Sequence, residues 1–401
     1  MYPKTLPLLT LPLLLVFFAL NFLSAQEINS PSFGNGILNL VGKDSTWTMK
    51  FAARMLFLTT VDWEKNTSNE SDFLIRRARL KFDGFAYSPK LKYKLELGLS
   101  NRDLDGASSQ TQNAPLLILD AMVNWNFAGN FELWFGQTKL PGNRERVISS
   151  GNMQMVDRSL LNSRFNIDRD LGVQLRHHFK LSNDFVVREV LAISQGEGRN
   201  ITKKNIGGHQ YTGRLEFLPF GTFSGGGEYS GSDLKREQKP KLAVGVSYDF
   251  NNRAVKDRSN LGNYMTNDIG YFETDISTLF VDAMYKHKGF SFMAEYADRN
   301  SDDPFAKNSD GTLTGDVVKV GNAINLQTGY LFTNNFELSG RYTTVKFDDK
   351  IFGNNGENEY TLGISKFFSG HKLKVQSDIS YRDVVNSNNQ IIYRLQFDIH
   401  F

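Results

Sequence analysis

Apolar residues fall at every second position through most of this chain, in segments of about ten residues, the length and pattern of a strand with one apolar and one polar face. In LKYKLELGLS, Leu91, Tyr93, Leu95, Leu97 and Leu99 alternate with Lys92, Lys94, Glu96, Gly98 and Ser100. KLAVGVSYDF sets Leu242, Val244, Val246, Tyr248 and Phe250 against Ala243, Gly245, Ser247 and Asp249. The last segment, IIYRLQFDIHF, sets Ile391, Tyr393, Leu395, Phe397, Ile399 and Phe401 opposite Ile392, Arg394, Gln396, Asp398 and His400. Side chains of a strand point alternately to its two faces, so period two over so much sequence excludes a helical fold.

The connections come in two kinds. SPK, AGN, SND, PFG, TNN and SGH are tight, whereas 101–115, 139–169, 195–209 and 300–320 are long and polar. That rhythm predicts an all-β fold, an antiparallel transmembrane β-barrel of the outer membrane with short periplasmic turns and long extracellular loops. A soluble sandwich also alternates, but strands this long are unusual for it. The pattern gives seventeen segments, with 222–231 among them, and a barrel with both ends on one side needs an even number. Sixteen or eighteen strands are therefore expected: the rhythm of short and long connections slips around 251–273, so either a strand is missed there or one is split elsewhere.

The first residues, MYPKTLPLLTLPLLLVFFALNFLSAQ, have one early cation, an apolar run from Leu6 to Leu23 and small residues near Ala25. This is the layout of a secretory signal peptide, 1–25, cleaved after Ala25. Pro7, Pro12 and the lack of a basic stop-transfer segment weigh against the rival reading, a membrane anchor. The remaining organisation is a periplasmic segment over 26–46 and a barrel over 47–401 with a constriction loop at 139–169. No cysteine is present, so no disulfide framework holds the exported protein together.

The stretch DFLIRRARLKFDG fixes which face meets lipid. With Ala78, Leu80 and Phe82 outward, Arg77, Arg79, Lys81 and Asp83 share the lumen. The opposite phase would put three cations in hydrocarbon, at about 2–4 kcal/mol each near the midplane. Arg76 then falls on the lipid side, near the loop end, where it can snorkel. Such a column of cations is either an anion path or a ladder of ion pairs with Asp83 and Glu96. The loop 139–169 carries Lys139, Arg144, Arg146, Arg158, Arg164 and Arg169 against Glu145, Asp157, Asp168 and Asp170. Rings of such cations select anions when they line a constriction. The plainer reading is an extracellular loop of mixed charge.

RRARLKFDG, LDAMVNWNF with FELWFGQTKLPGNRE, DRSLLNSRFNIDRDLGVQL and YTGRLEFLPFG closely resemble successive blocks of the phosphate-selective porin O/P family. VDAMYKHKGFSFMAEY is similar to the form found in Bacteroidetes-type porins. The resemblance implies a sixteen-stranded outer-membrane barrel of a Gram-negative bacterium, often a homotrimer, in which inward-folded loops and basic residues lead small anions through a constriction. Arg77, Arg79, Lys139, Arg144, Arg158 and Arg169 lie in the matching blocks.

The expected function is passive diffusion of small solutes, anion-leaning and extending to phosphate or polyphosphate. Arg77, Arg79, Lys81, Lys139, Arg144, Arg158, Arg164 and Arg169 are the expected pore-lining cations. Phe401 is the expected signal for the barrel-assembly machinery, and membrane lipid and lipopolysaccharide are the expected surroundings; nucleic acid is not a partner. The six histidines, His177, His178, His209, His287, His371 and His400, have no metal-ligand spacing, and no catalytic set stands out, so neither enzyme, cofactor nor metal is expected. NRDLDG and NSDGTLTGD could hold calcium weakly but read more simply as turn chemistry. The alternative function is a plugged structural or adhesive barrel that partners surface machinery.

Overall fold

The computed structural model describes residues 28–29, 31–64, 69–104, 108, 111, 117–202, 204–353 and 355–401; the expected signal peptide lies outside them. Sixteen antiparallel strands close into a barrel. In chain order they are β1 (Thr48–Glu64), β2 (Glu70–Ala86), β3 (Ser88–Gly98), β4 (Ile118–Ala128), β5 (Phe131–Lys139), β6 (Arg169–Lys180), β7 (Val186–Ser194) and β8 (Gln210–Leu218). The second half comprises β9 (Lys241–Ala254), β10 (Thr274–His287), β11 (Phe290–Ser301), β12 (Gly321–Leu331), β13 (Phe336–Phe347), β14 (Gly356–Phe367), β15 (Leu373–Val384) and β16 (Gln390–His400).

Each strand pairs with its neighbours in sequence, and β16 closes on β1 from Gln390 opposite Glu64 to His400 opposite Arg54. Closure leaves no unpaired edge in the hydrocarbon, where an open backbone group would cost several kcal/mol. A short strand, Leu38–Val41, continues the sheet against Thr48–Phe51 where β16 runs out. The outward faces are apolar as the alternation requires: Val123, Trp125 and Phe127 on β4 and Leu362 and Ile364 on β14 are exposed. Tight turns join the strands on one rim, taken as periplasmic. Lys288–Gly289 is one of them, both at positive φ (49° and 90°), as a two-residue hairpin turn demands.

The irregularity in the strand count lies elsewhere than at 251–273. That stretch forms two short hairpins, Lys256–Arg258 with Leu261–Tyr264 and Thr266–Asn267 with Gly270–Tyr271, standing above β9 and β10 on the long-loop side. The surplus segment is 222–231, which is no strand. It belongs to a long periplasmic connection, 219–240, folded back into the barrel. Gly225 and Gly226 take left-handed φ of 62° and 71°, conformations that interrupt any strand, and a single turn of 3-10 helix follows at Gly227–Tyr229. Phe223 is buried with Ile148, Met153, Leu218, Ala243, Met284 and Met293 inside the barrel.

Candidate functional site

The connection between β5 and β6, residues 140–168, runs inside the barrel and is seated on the far wall. Leu140, Leu160, Leu161, Phe165 and Ile167 are buried against Ala192, Phe280, Ala297, Ala323 and Val345, all inward positions of strands. Polar contacts pin the rest. Gln154 bonds Ser291 and Glu337, the Val156 amide donates to Asp378, and the Arg299 guanidinium donates to the carbonyls of Phe165 and Asn166. At the loop's tip Val156 packs on Leu56 and Leu58, while Arg76 holds Asp157 at 2.9 Å.

Arg144 is the deepest rivet. It is wholly buried, with Asp282 at 2.7 Å, Glu216 at 2.8 Å and the Glu228 carbonyl at 3.0 Å. The residue expected to line the pore therefore locks the loop to β8, β10 and the inward periplasmic segment. Two more expected lining residues also lie away from the passage. Arg164 is paired with Glu357 at 2.7 Å in a separate recess beside Arg258 and Lys319. Lys81 is paired with Asp83 at 2.8 Å, outside the cavity.

A cavity of about 570 Å³ stays open between the loop and the wall of β2–β8. Arg77, Arg79, Lys139, Arg158 and Arg169 line it. So do Arg76, Lys94, Arg146, Arg176, Arg199 and Arg214, while only Glu96, Asp103, Asp120 and Asp168 among its lining residues are acidic. Among the described lining residues, eleven cations against four carboxylates leave an excess of seven in a chain whose total is +3.

Six of the eleven are held by carboxylates. Lys94 lies 2.8 Å from Glu96 and 2.6 Å from Asp120; Arg79 reaches Glu96 at 3.0 Å; Arg169 reaches Asp120 at 2.8 Å. Arg146 pairs with Asp168, Arg76 with Asp157, and Arg214 with Asp282.

The other five have no carboxylate partner among the described residues. Lys139 donates to three backbone carbonyls, those of Arg146, Val147 and Ile148, at 2.7–3.0 Å. Arg158 donates to the carbonyls of Glu145 and Ile148. Burial and the neighbouring Arg146 push Arg158 down to about 9, so it is charged at neutral pH but poorly compensated. Arg176 stacks on Trp134 and bonds Gln174. Arg77 and Arg199 make no hydrogen bond or ion pair with the described residues, and the buried Nη1 of Arg199 is left unmatched.

Arg76 faces the lumen because of a β-bulge. Leu56 lies opposite Arg77, but Phe57 lies opposite Ile75, so Arg76 is the extra residue. Strict alternation places it on lipid; the bulge turns both Arg76 and Arg77 inward and restores Phe73 and Ile75 to the outside, 84% and 62% exposed. Phe401 donates its amide to the Ala53 carbonyl on the seam strand. The histidines do not converge: His177 stacks on Phe131, His371 meets Ser230 and His400 meets Asp398. Among the described residues no three His, Asp or Glu side chains gather as a metal site.

Residues 56–396 match the family described as phosphate-selective porin O and P. An uncharacterized protein of Aquifex aeolicus (strain VF5) is 23% identical over 366 residues, covering 83% of this chain and 81% of that one. Among solved structures, the trimer form of OmpT, an outer membrane protein of Vibrio cholerae, superposes with a TM-score of 0.52 at 14% identity, over 88% of this chain and 99% of that one. An anion-selective porin from Comamonas acidovorans superposes with a TM-score of 0.54 at 11% identity, over 88% of this chain and all of that one (100%). At such identities the likeness is one of fold.

Proposed function

This chain belongs to the phosphate-selective porin O and P family and is by family and fold an outer-membrane channel for small solutes, and we propose that its passage favours anions and takes phosphate and polyphosphate. The observation that carries this reading is the set of cations without a carboxylate partner among the described residues, above all Arg77, Lys139 and Arg158, in the cavity between the inward loop and the barrel wall. Preorganised guanidinium donors replace part of an oxyanion's hydration shell and need no movement to do so, while Lys139, its three N–H groups already given to carbonyls, adds its charge alone. A carboxylate-rich wall would repel the same solute. The carboxylates that are present hold the wall cations at fixed spacing, so the ion-pair ladder and the anion path are two functions of one array.

The homotrimeric state draws support from the trimer form of the Vibrio cholerae protein. Cleavage after Ala25 is the proposed route of export to the outer membrane. A plugged structural barrel is the second reading, favoured by the two segments that fill the far side of the lumen.

The test is the reversal potential of the refolded protein in a planar bilayer under a KCl gradient, repeated with phosphate. Chloride preference that weakens in Arg77→Glu and Arg158→Glu, with phosphate block of the wild type, supports the proposal. Cation preference, or indifference to both substitutions, sinks it, and the absence of conductance favours the plugged barrel.

A further inference from the structure

Trp134 stands on the wrong face of its strand. Of the four tryptophans it alone lines the cavity, in the polar phase of β5 between Glu132 and Thr138. Its ring nitrogen donates to Glu132 at 2.9 Å, which also accepts from Asn124 at 3.1 Å, so the indole is fixed in the plane it occupies. The Arg176 guanidinium lies 3.7 Å from the indole centroid, held by Nε and Nη2 contacts to Gln174. Stacked this way, Arg176 is rigid, and its Nη1 makes no hydrogen bond with the described residues. Tyr229, brought in by the periplasmic segment, lines the same cavity, its hydroxyl tied to Glu216 at 2.9 Å. Val190 adds an apolar surface between them. A second, smaller recess of about 140 Å³ shares Arg176, Val190 and Tyr229 with the cavity and reaches Asn130 at the turn between β4 and β5.

A compact oxyanion gains from the arginines but nothing from an indole, a phenol and a valine. An anion with a flat apolar body gains from all of them: Arg176 covers the indole face at 3.7 Å, so the ring packs against Tyr229 and Val190 while the carboxylate takes the guanidinium edge that the Trp134 stack holds in place. We propose that Trp134, Arg176 and Tyr229 form a subsite for planar aromatic carboxylates, set apart from Arg77 and Arg158, the guanidinium groups on which the phosphate reading chiefly rests. The inference rests on the reading of this cavity as an anion passage, and it adds a solute class chosen by shape.

The test compares benzoate with cyclohexanecarboxylate, equal in charge and similar in size but not planar, as blockers of chloride current. Benzoate is expected to half-block at a concentration roughly fivefold lower, the worth of one aromatic contact. Trp134→Leu keeps apolar bulk and removes the stack; Tyr229→Leu, on the inward segment, keeps the barrel wall intact if the first variant fails to fold. Each should abolish the benzoate advantage and leave phosphate block unchanged. Equal block by the two carboxylates in the wild type would overturn the proposal, as would a parallel loss of phosphate block, because Trp134 would then merely hold Arg176 for any anion. Calorimetric titration of both carboxylates into the detergent-solubilised full chain gives the same ratio without conductance, so failure of the porin reading leaves this one decidable.

Discussion

Replacing Arg144 with methionine tests whether the inward loop is held by charge. The side chain is wholly buried and meets two carboxylates, Asp282 at 2.7 Å and Glu216 at 2.8 Å. Removing one member of a buried ion pair costs about 3–5 kcal/mol, mostly for the charge left behind. Here the remainder is shared. Asp282 keeps Arg214 at 2.7 Å, and Glu216 keeps Arg188 and the Tyr229 hydroxyl at 2.9 Å. The lower end, about 3 kcal/mol, therefore applies. The barrel wall is closed without the loop, so the loss falls on local detachment of 140–168 rather than on global unfolding. At 1.4 kcal/mol per tenfold, 3 kcal/mol raises the detached population by roughly two orders of magnitude. Single-channel recording should show larger conductance and frequent steps between levels, and hydrogen exchange in 144–165 should quicken, while the sign of ion selectivity holds. Adding Asp282→Asn should deepen the loss, because the buried Arg214 then gives up its bidentate carboxylate. Wild-type exchange and quiet current in Arg144→Met would refute the argument, since the loop would then be held by its apolar seat alone.

Three further outcomes follow from the same geometry. Arg158→Gln should leave the loop seated, because its partners are carbonyls that water can serve, yet lower the chloride-to-potassium permeability ratio; reversal potentials check this. Acidification should release the loop tip: burial raises the Asp157 carboxyl, but Arg76, Arg394 and Arg77 outweigh it and hold it down from 3.8 to about 2. A depressed carboxyl contributes stability above its ordinary value that is lost as pH falls through the folded one, so current noise should grow between pH 4 and pH 2; Asp157→Asn should be noisy throughout. Replacing 222–238 with a tight turn should leave the sixteen strands intact and raise conductance by opening the periplasmic side, read by circular dichroism and bilayer current.

The barrel was legible because its signal is local. Each strand announces its two faces within its own residues, and the desolvation cost of Arg77, Arg79 and Lys81 chooses between the phases. The bulge at Arg76 was not legible: in LIRRAR, alternation can slip by one residue at either arginine, and only the partner strand decides. Segment 222–231 was misread because FSGGGEYS also alternates, although three glycines in a row were a warning that no wall strand ran there. The fate of Arg144 lay beyond local reading altogether, since its carboxylates are 72 and 138 residues away in sequence. The seat of the loop did leave a trace. Ala192, Ala297 and Ala323 are small apolar residues on the inward faces of their strands, as a wall needs where a loop packs against it.

The near balance of charge in the whole chain, 46 cations to 43 acids, conceals a separation of charge within the barrel. Acids such as Asp282, Glu216, Glu357 and Asp378 are consumed in riveting the inward segments, and the cations not so consumed gather in the passage. Arg77, Arg158 and Arg199 thus face like charges across one small cavity, an arrangement that costs free energy when empty and recovers it when an anion enters. Occupancy must then stabilise the folded loop by RT ln(1 + [L]/Kd), about 2.7 kcal/mol at a hundredfold excess over Kd. Phosphate at constant ionic strength and pH should slow hydrogen exchange in 140–168 relative to a bulky sulfonate buffer, and Arg158→Gln should shrink the difference. Identical exchange in the two buffers would mean that backbone carbonyls and water already satisfy these cations, and that the passage discriminates by width rather than by charge.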